Sequence, residues 1–185
     1  MRRGLVHRAL NAGGMLAGLL MLASWNTVAH SADSVEQRLQ KLEAREQILE
    51  LFTAYGATLD RHDFAAFGRL FAEDAEYGSG PGAPTRGRAA IQAQLEKQIT
   101  SNPMNLPPPN NHLFFNPAIH VDGEHATARS LGAYVAPDPA SRTTRMVFFV
   151  AYDDVLVKRE GRWLFQKRVI GSSGPPAPAK TAPAQ

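Results

Sequence analysis

The first half of the chain has the apolar spacing of helices. Ser34 and Gln37 fit a capping box, a pair that closes the start of a helix through reciprocal hydrogen bonds between side chains and backbone. Behind them apolar residues recur at steps of three and four, which predicts a long helix with one apolar stripe. The stripe consists of Leu39, Leu42, Ile48, Leu51, Phe52, Tyr55 and Leu59.

Two shorter helices are predicted to follow. Asp63 is placed to cap the first of them, and a short strand is expected around Ala75–Tyr77. After a loop rich in glycine and proline, Arg88–Thr100 returns to helical spacing. The inner sides of these two helices carry Phe64, Phe67, Leu70 and Phe71 in the first and Ile91, Leu95 and Ile99 in the second.

The second half of the chain changes to the pattern of strands. Asp122-Gly123 is a hairpin signal between His112–Val121 and Glu124–Val135. Thr144–Lys158 is rich in β-branched and aromatic residues, and Glu160-Gly161 turns it into Arg162–Ile170. Helices followed by antiparallel hairpins predict an α+β fold with the helices on one face of a curved sheet.

The start of the chain resembles an export signal. Met1–Arg8 is basic, and Ala12–Ala23 is a run of twelve residues without a polar side chain. Spanning a bilayer takes roughly 20 apolar residues, so this run favours a secretory signal peptide over residues 1–32. Cleavage is expected after Ala29, Ser31 or Ala32, which predicts a periplasmic or secreted protein. An uncleaved membrane anchor is the alternative.

The end of the chain is low in complexity. Residues 172–185 consist mostly of Pro, Ala and Ser and cannot bury an apolar face, so we predict a disordered tail. One folded domain is therefore expected over residues 33–171.

Charge and composition exclude several kinds of binding partner and catalytic site. The chain has 20 Lys and Arg against 17 Asp and Glu, but Arg2, Arg3 and Arg8 lie in the predicted signal peptide. Without them 17 basic residues face 17 acidic ones, which argues against a nucleic-acid partner. The chain contains no cysteine, which excludes disulfides, thiol nucleophiles and cysteine-based metal sites.

The basic residues of the last predicted hairpin give no phosphate-binding pattern. They alternate with Asp153, Asp154 and Glu160, which indicates a solvated face. The basic residues are Lys158, Arg159, Arg162, Lys167 and Arg168.

Several stretches, in order and with matching spacing, resemble the SnoaL-like group of the nuclear transport factor 2-like superfamily. They are Leu42–Tyr55, Leu59–Phe71, Asp74–Tyr77, Gly87–Ile91, His112–Ile119, Val121–Ser130 and Tyr152–Arg168. The resemblance implies a cone, in which a curved mixed sheet wrapped by three N-terminal helices encloses a pocket. The superfamily includes scytalone dehydratase, ketosteroid isomerase, limonene epoxide hydrolase, polyketide cyclases and non-catalytic members, so the fold alone does not give the reaction.

Asp60, His112 and Tyr77 are the candidate catalytic residues. By resemblance to scytalone dehydratase, Asp60 matches a pocket acid, His112 a pocket histidine and Tyr77 a pocket tyrosine. His112 would be the general acid or base, with its tautomer fixed by a partner such as Asp60, and Tyr77 would polarise a carbonyl or position a water. The alternatives are an Asp60 bonded to nearby amides and a structural His112.

The pocket wall is completed by expected ligand-binding residues, namely Tyr55, Phe114, Ser130, Tyr134 and Trp163. Tyr55 also fits a core position on the helix stripe. Leu59 and Ser130 stand where the dehydratase pattern has a second tyrosine and a second histidine, so the dehydratase activity itself is not carried over. The Asp-Arg-Asp pattern of limonene epoxide hydrolase is not evident.

The first predicted hairpin carries two histidines, His120 and His125. A turn at Asp122-Gly123 would place His120 opposite His125, but a third ligand is not visible, so no metal site is predicted. No cofactor motif is present either.

These observations favour an exported, cofactor-independent enzyme that uses acid–base chemistry of lyase, isomerase or hydrolase type on a small hydrophobic molecule. The alternative is a non-catalytic module of the same fold that binds a small ligand or serves dimerisation. A dimerising sheet face would use residues such as Phe148, Val150, Tyr152, Trp163 and Phe165. The resemblance also implies a homodimer, and no stable membrane insertion is expected after cleavage.

Overall fold

The computed structural model describes residues 34–79 and 82–172. Its helices are α1 (Val35–Asp60), α2 (Phe64–Gly68) and α3 (Arg88–Ser101), and its strands are β1 (Phe71–Ser79), β2 (Thr85–Arg86), β3 (Asn111–Asp122), β4 (His125–Asp138), β5 (Thr143–Arg159) and β6 (Arg162–Ser172). The predicted signal peptide and nearly all of the predicted tail lie outside the described residues. Over the described ranges, no helix is both long and apolar enough to cross a membrane.

The six strands form one mixed sheet in the order β2-β1-β6-β5-β4-β3. β1 pairs with β6 in parallel, and all the other neighbours are antiparallel. Register shifts interrupt the pairing of β3, β4, β5 and β6, and such bulges bend strands and increase their twist. The predicted α+β fold, with N-terminal helices against a curved mixed sheet, is confirmed.

The hairpin between β3 and β4 turns one residue later than predicted. Asp122 pairs with His125, so the turn consists of Gly123 and Glu124, and Gly123 has a positive φ of 57°. His120 therefore lies opposite Thr127 and not opposite His125, and the geometry considered for a metal site is wrong. Within the part of the chain that the structure describes, no three His, Asp or Glu side chains are grouped as a metal site would require.

The capping box at the start of α1 is confirmed. The Gln37 amide donates to Ser34 Oγ at 3.1 Å, and the Ser34 amide donates to Gln37 Oε1 at 2.8 Å. The single apolar stripe predicted for this helix is wrong at its start, because Leu39 is 48% exposed and Leu42 is 64% exposed. Residues 34–43 are all exposed, and the buried face of α1 begins only at Ala44.

The core lies between the second half of α1, the two short helices and the inner face of the sheet. Its aromatic centre is formed by Phe52, Tyr55, Phe67, Phe71 and Phe165, each at most 2% exposed. Aromatic pairs at centroid distances of 5.1–5.8 Å contribute packing energy beyond the buried area. This core fixes the C-terminal end of α1 against the sheet, which positions Asp60.

The buried sheet residues limit the alternative in which the sheet serves only dimerisation. Tyr152, Trp163 and Phe165 point into the core and are at most 5% exposed. Phe148 pairs with Tyr134, on which its ring stacks at 5.2 Å. Three of the five side chains named for that face are therefore not available to a partner.

Candidate functional site

Asp60 and His112 meet where the end of α1 touches the start of β3. The Asp60 carboxylate accepts the His112 backbone N–H at 3.0 Å and 3.2 Å, and its Oδ1 lies 2.6 Å from His112 Nδ1. Their side chains are only 17% and 10% exposed. Gly56 permits this approach, because a Cβ at that position would lie 3.1 Å from the His112 Cβ.

This contact sets the chemistry of the imidazole. A carboxylate accepts hydrogen bonds, so Nδ1 carries the proton and the neutral ring has its lone pair on Nε2. Nε2 is then the atom that can take a proton from another molecule. The Asp60 charge stabilises the imidazolium that forms, as in other histidine–carboxylate pairs.

The pair lines a cavity of about 420 Å³, a size suited to small molecules. The wall combines the ends of α1 and α3, the segment between α3 and β3, and the β3–β4 pair. Its apolar lining consists of Leu59, Ile99, Leu106, Pro108 and Pro109, and its polar lining of Asp60, His62, Thr100, Asn102, Asn110, His112 and Tyr134.

Two other polar side chains face the same space as the pair. The Tyr134 ring packs at 4.6 Å from the His112 ring, and burial, with the nearby Asp60 charge, raises the pKa of the Tyr134 hydroxyl. Tyr134 thus remains a protonated donor at neutral pH. Asn110 also lines the cavity, and its Oδ1 is buried without a hydrogen-bond partner among the described residues.

The segment between α3 and β3 is held in place over this cavity. The Asn102 side chain donates to the Leu106 carbonyl at 3.1 Å and accepts the Leu106 N–H at 3.0 Å. Leu106 is 4% exposed and packs with Tyr134 and Ala136. The cavity wall on this side therefore has its own small apolar cluster.

Tyr77, the third candidate catalytic residue, lies elsewhere. It is 4% exposed, and its hydroxyl is 3.1 Å from the hydroxyl of Tyr55 in the aromatic core. Burial raises the pKa of Tyr77 to about 12. The structure thus brings Asp60 and His112 together, while Tyr77 is not among the residues that line their cavity.

Among the five predicted ligand-binding residues, Tyr134 lines the cavity. Tyr55 and Phe114 contact each other in the core at a ring distance of 5.8 Å. Ser130 is 1% exposed, and Trp163 lines surface grooves that contain neither Asp60 nor His112. Of the eight predicted site residues, Asp60, His112 and Tyr134 therefore line this cavity.

Sequence reasoning missed a second polar cluster, formed in the core by Asp154 on β5 and Arg168 on β6. Arg168 is fully buried and donates to Asp154 through Nε and Nη2, both at 2.8 Å. Its guanidinium carbon lies 4.1–5.5 Å from five ring centroids. The rings belong to Phe52, Tyr55, Phe114, Tyr152 and Phe165.

The solvated face predicted for the last hairpin is therefore wrong for Arg168 and Asp154. Leu156 pairs with Phe165 but Val155 pairs with Lys167, so Gln166 is an extra residue that inverts the alternation of side chains. The aromatic residues on neighbouring strands were the available signal, since an arginine among rings is stabilised by cation–π contacts.

The electrostatics keep Arg168 charged. Burial acts to lower its pKa, but the Asp154 carboxylate outweighs burial, so the pKa of Arg168 is raised. Arg168 Nη1 and Ser130 Oγ are buried without hydrogen-bond partners in the described structure. This cluster is a charged centre of the core, separate from the residues lining the Asp60–His112 cavity.

Comparison with solved structures defines the class of fold. The chain is similar to an NTF2-like protein with a cystatin-like fold from Novosphingobium aromaticivorans, with 26% identity and a TM-score of 0.63 over 76% of this chain and 91% of that one. A protein of the same organism, provisionally named a scytalone dehydratase, has 24% identity and a TM-score of 0.60 over 72% and 86% of the two chains. ActVI-ORFA from Streptomyces coelicolor has 22% identity and a TM-score of 0.59 over 69% and 96%.

The family follows from the sequence model of the SnoaL-like domain, which matches residues 40–169. The chain belongs to the SnoaL-like domain family. A comparison with curated proteins finds no match.

Proposed function

We propose that the Asp60–His112 cavity is the active site of a cofactor-independent enzyme that moves a proton on a small, largely apolar molecule. The observation that carries this proposal is the orientation of His112, because Asp60 holds both its backbone N–H and its Nδ1. This arrangement leaves Nε2 as the proton acceptor. A lyase, an isomerase or a hydrolase can each use such a base.

The other cavity residues suggest how a substrate is oriented. Tyr134, whose ring packs against His112, supplies a neutral hydroxyl, which is the group needed to stabilise an oxygen that gains negative charge. Leu59, Ile99 and Leu106 give the apolar contacts. In this proposal Tyr134 has the role that resemblance gave to Tyr77.

Exchange of hydrogen for deuterium tests the proposal without knowledge of the natural substrate. The probe is α-tetralone, a bicyclic ketone whose hydrogens next to the carbonyl exchange with D₂O when a base removes them. We expect saturable exchange with the native protein and a loss of about 100-fold in His112→Ala. His120→Ala is the matched control, because His120 lies on the same strand outside the cavity lining.

The competing function is a non-catalytic module that binds a small ligand. Leu59 and Ser130, which replace two acid–base residues of the dehydratase pattern, favour it. Under this alternative α-tetralone would raise the melting temperature of the native protein and of His112→Ala equally, and deuterium exchange would stay at the rate of buffer.

We also propose that the protein is exported and forms a homodimer. The export proposal is supported by residues 1–32, and N-terminal sequencing of the protein recovered from the periplasm or medium tests it. The homodimer is supported by apolar side chains exposed in two places. One is the outer face of the sheet, with Leu113, Phe115 and Phe149, and the other is the first half of α1.

A further inference from the structure

α1 has a second apolar stripe, opposite its core-facing side. Val35, Leu39 and Leu42 are 80%, 48% and 64% exposed, and Leu49 continues the line half-buried. With Glu46 between Leu42 and Leu49, the line follows steps of four, three, four and three. This is the heptad spacing of a coiled coil, with Leu39 and Glu46 at the a positions and Val35, Leu42 and Leu49 at the d positions.

Charges of opposite sign flank this stripe on its two sides. The g positions hold Arg38 and Arg45, and the e positions hold Glu36, Glu43 and Glu50. None of these five residues has an opposite charge three or four places away along α1, so helix-internal ion pairs do not account for the arrangement. Separate rows of base and acid beside an apolar seam are the pattern that selects a partner helix.

We propose that α1 of one chain pairs with α1 of a second copy as a short parallel coiled coil. In a parallel pair each g residue faces the e residue five places further along the other helix. Arg38 then meets Glu43 of the partner subunit, and Arg45 meets Glu50 of the partner subunit. An antiparallel pair would instead place arginines against arginines and glutamates against glutamates.

The fold leaves room for this pairing. The core-facing residues Ala44, Ile48 and Leu51 lie on the side of α1 that points away from the seam, so the domain does not cover the seam. Residues 34–43 have no buried member, and an isolated helical segment of that length is marginal in water without a partner. Arg45 already donates one N–H to the Pro117 carbonyl at 3.4 Å, and its guanidinium has further donors.

Glu46 limits the strength of the pair. A charged side chain at an a position weakens the seam, so the coil is expected to dissociate at low protein concentration. Glu46→Leu should tighten the dimer by about tenfold or more in sedimentation experiments, because it replaces a desolvated charge with an apolar contact.

The absence of cysteine from the sequence permits a direct test. A parallel in-register coil places residue 42 against residue 42 of the partner, so Leu42→Cys should form a disulfide-linked dimer under mild oxidation. Gln40→Cys is the matched control, since Gln40 lies at an exposed b position on the same helix. If Leu42→Cys cross-links no more than Gln40→Cys, the proposal is overturned.

A charge exchange gives a second, independent test. Arg38→Glu/Arg45→Glu makes both flanks acidic, and Glu43→Arg/Glu50→Arg makes both basic. Each double variant alone should dimerise about tenfold or more weakly than the native protein, while a mixture should form the heterodimer. A double variant that still dimerises like the native chain would overturn the proposal and leave the sheet face as the interface.

This inference names a surface for the proposed homodimer and is independent of the proposed acid–base activity. Deuterium exchange by Leu42→Cys in its reduced form should equal that of the native protein. A failed cross-link with intact exchange therefore counts against the coil alone.

Discussion

At the scale of single residues, Asp60 has two tasks. Its carboxylate satisfies the His112 backbone N–H and fixes the imidazole tautomer. Asp60→Asn preserves shape but removes the charge that stabilises an imidazolium. We expect exchange of α-tetralone to fall by about 10- to 100-fold, with the melting temperature changed by only a few degrees. Native-like exchange in Asp60→Asn would show that His112 acts without this carboxylate.

Arg168 gives a second prediction at this scale. Arg168→Met leaves the Asp154 charge buried and unpaired, so the free energy of unfolding should fall by about 3–5 kcal/mol in urea titrations. Arg168→Met/Asp154→Leu removes both charges and should recover most of that loss. Lys167→Met is the control, because Lys167 is exposed and its contact with Glu76 spans 3.6 Å. Equal effects of Arg168→Met and Lys167→Met would refute a stabilising role for the buried pair.

At the scale of elements, local signals predicted the helices and hairpins. The capping box of Ser34 and the turn at Glu160-Gly161 depend on neighbouring residues, so the sequence displays them directly. The extra residue Gln166 is invisible to a pattern of period two, so a sequence pattern does not predict that Arg168 points into the core. The exposed side of α1 was missed because a heptad stripe and a core stripe use the same steps of three and four.

The candidate site could be predicted only in part, for a related reason. Asp60 and His112 are 52 positions apart, and their contact depends on how α1 crosses the sheet. Resemblance to a family supplied that long-range information for the two residues. The resemblance did not predict the surroundings of Tyr77, whose hydrogen-bond partner Tyr55 lies on the buried face of α1.

Strand packing gives a prediction at the scale of elements. A Cβ at Gly132 on β4 would lie 2.4 Å from Tyr152 Cε2 on β5, so Gly132→Ala must displace a buried ring. We expect a loss of about 1–3 kcal/mol in the free energy of unfolding, measured in urea. Gly171→Ala is the control, because a Cβ there has no atom within 4 Å. A loss no larger than that of Gly171→Ala would mean that Tyr152 moves freely.

At the scale of the whole molecule, the pKa values of all four tyrosines are raised in the folded protein. Burial raises the pKa of Tyr55, Tyr77, Tyr134 and Tyr152, for Tyr77 to about 12. A raised pKa means that folding favours the neutral phenol. This contribution to stability is fully present below pH 10, the unfolded value, and is lost as the pH rises through the folded values.

Alkaline titration checks this expectation. The phenolate absorbance at 295 nm should stay low near pH 10 and rise together with the loss of near-ultraviolet circular dichroism towards pH 12. A normal phenolate transition centred at pH 10 in the folded protein would contradict the burial of these side chains.

The charged centre of the core has a practical consequence for the search for ligands. Arg168 and the five rings around it occupy the buried core, whereas the wall of the Asp60–His112 cavity includes Pro108 and Pro109, which are exposed. A molecule held there would keep one end close to solvent. Compounds linked through that end to a resin, a fluorophore or an encoding DNA tag should still bind, so immobilised libraries can be screened against this protein.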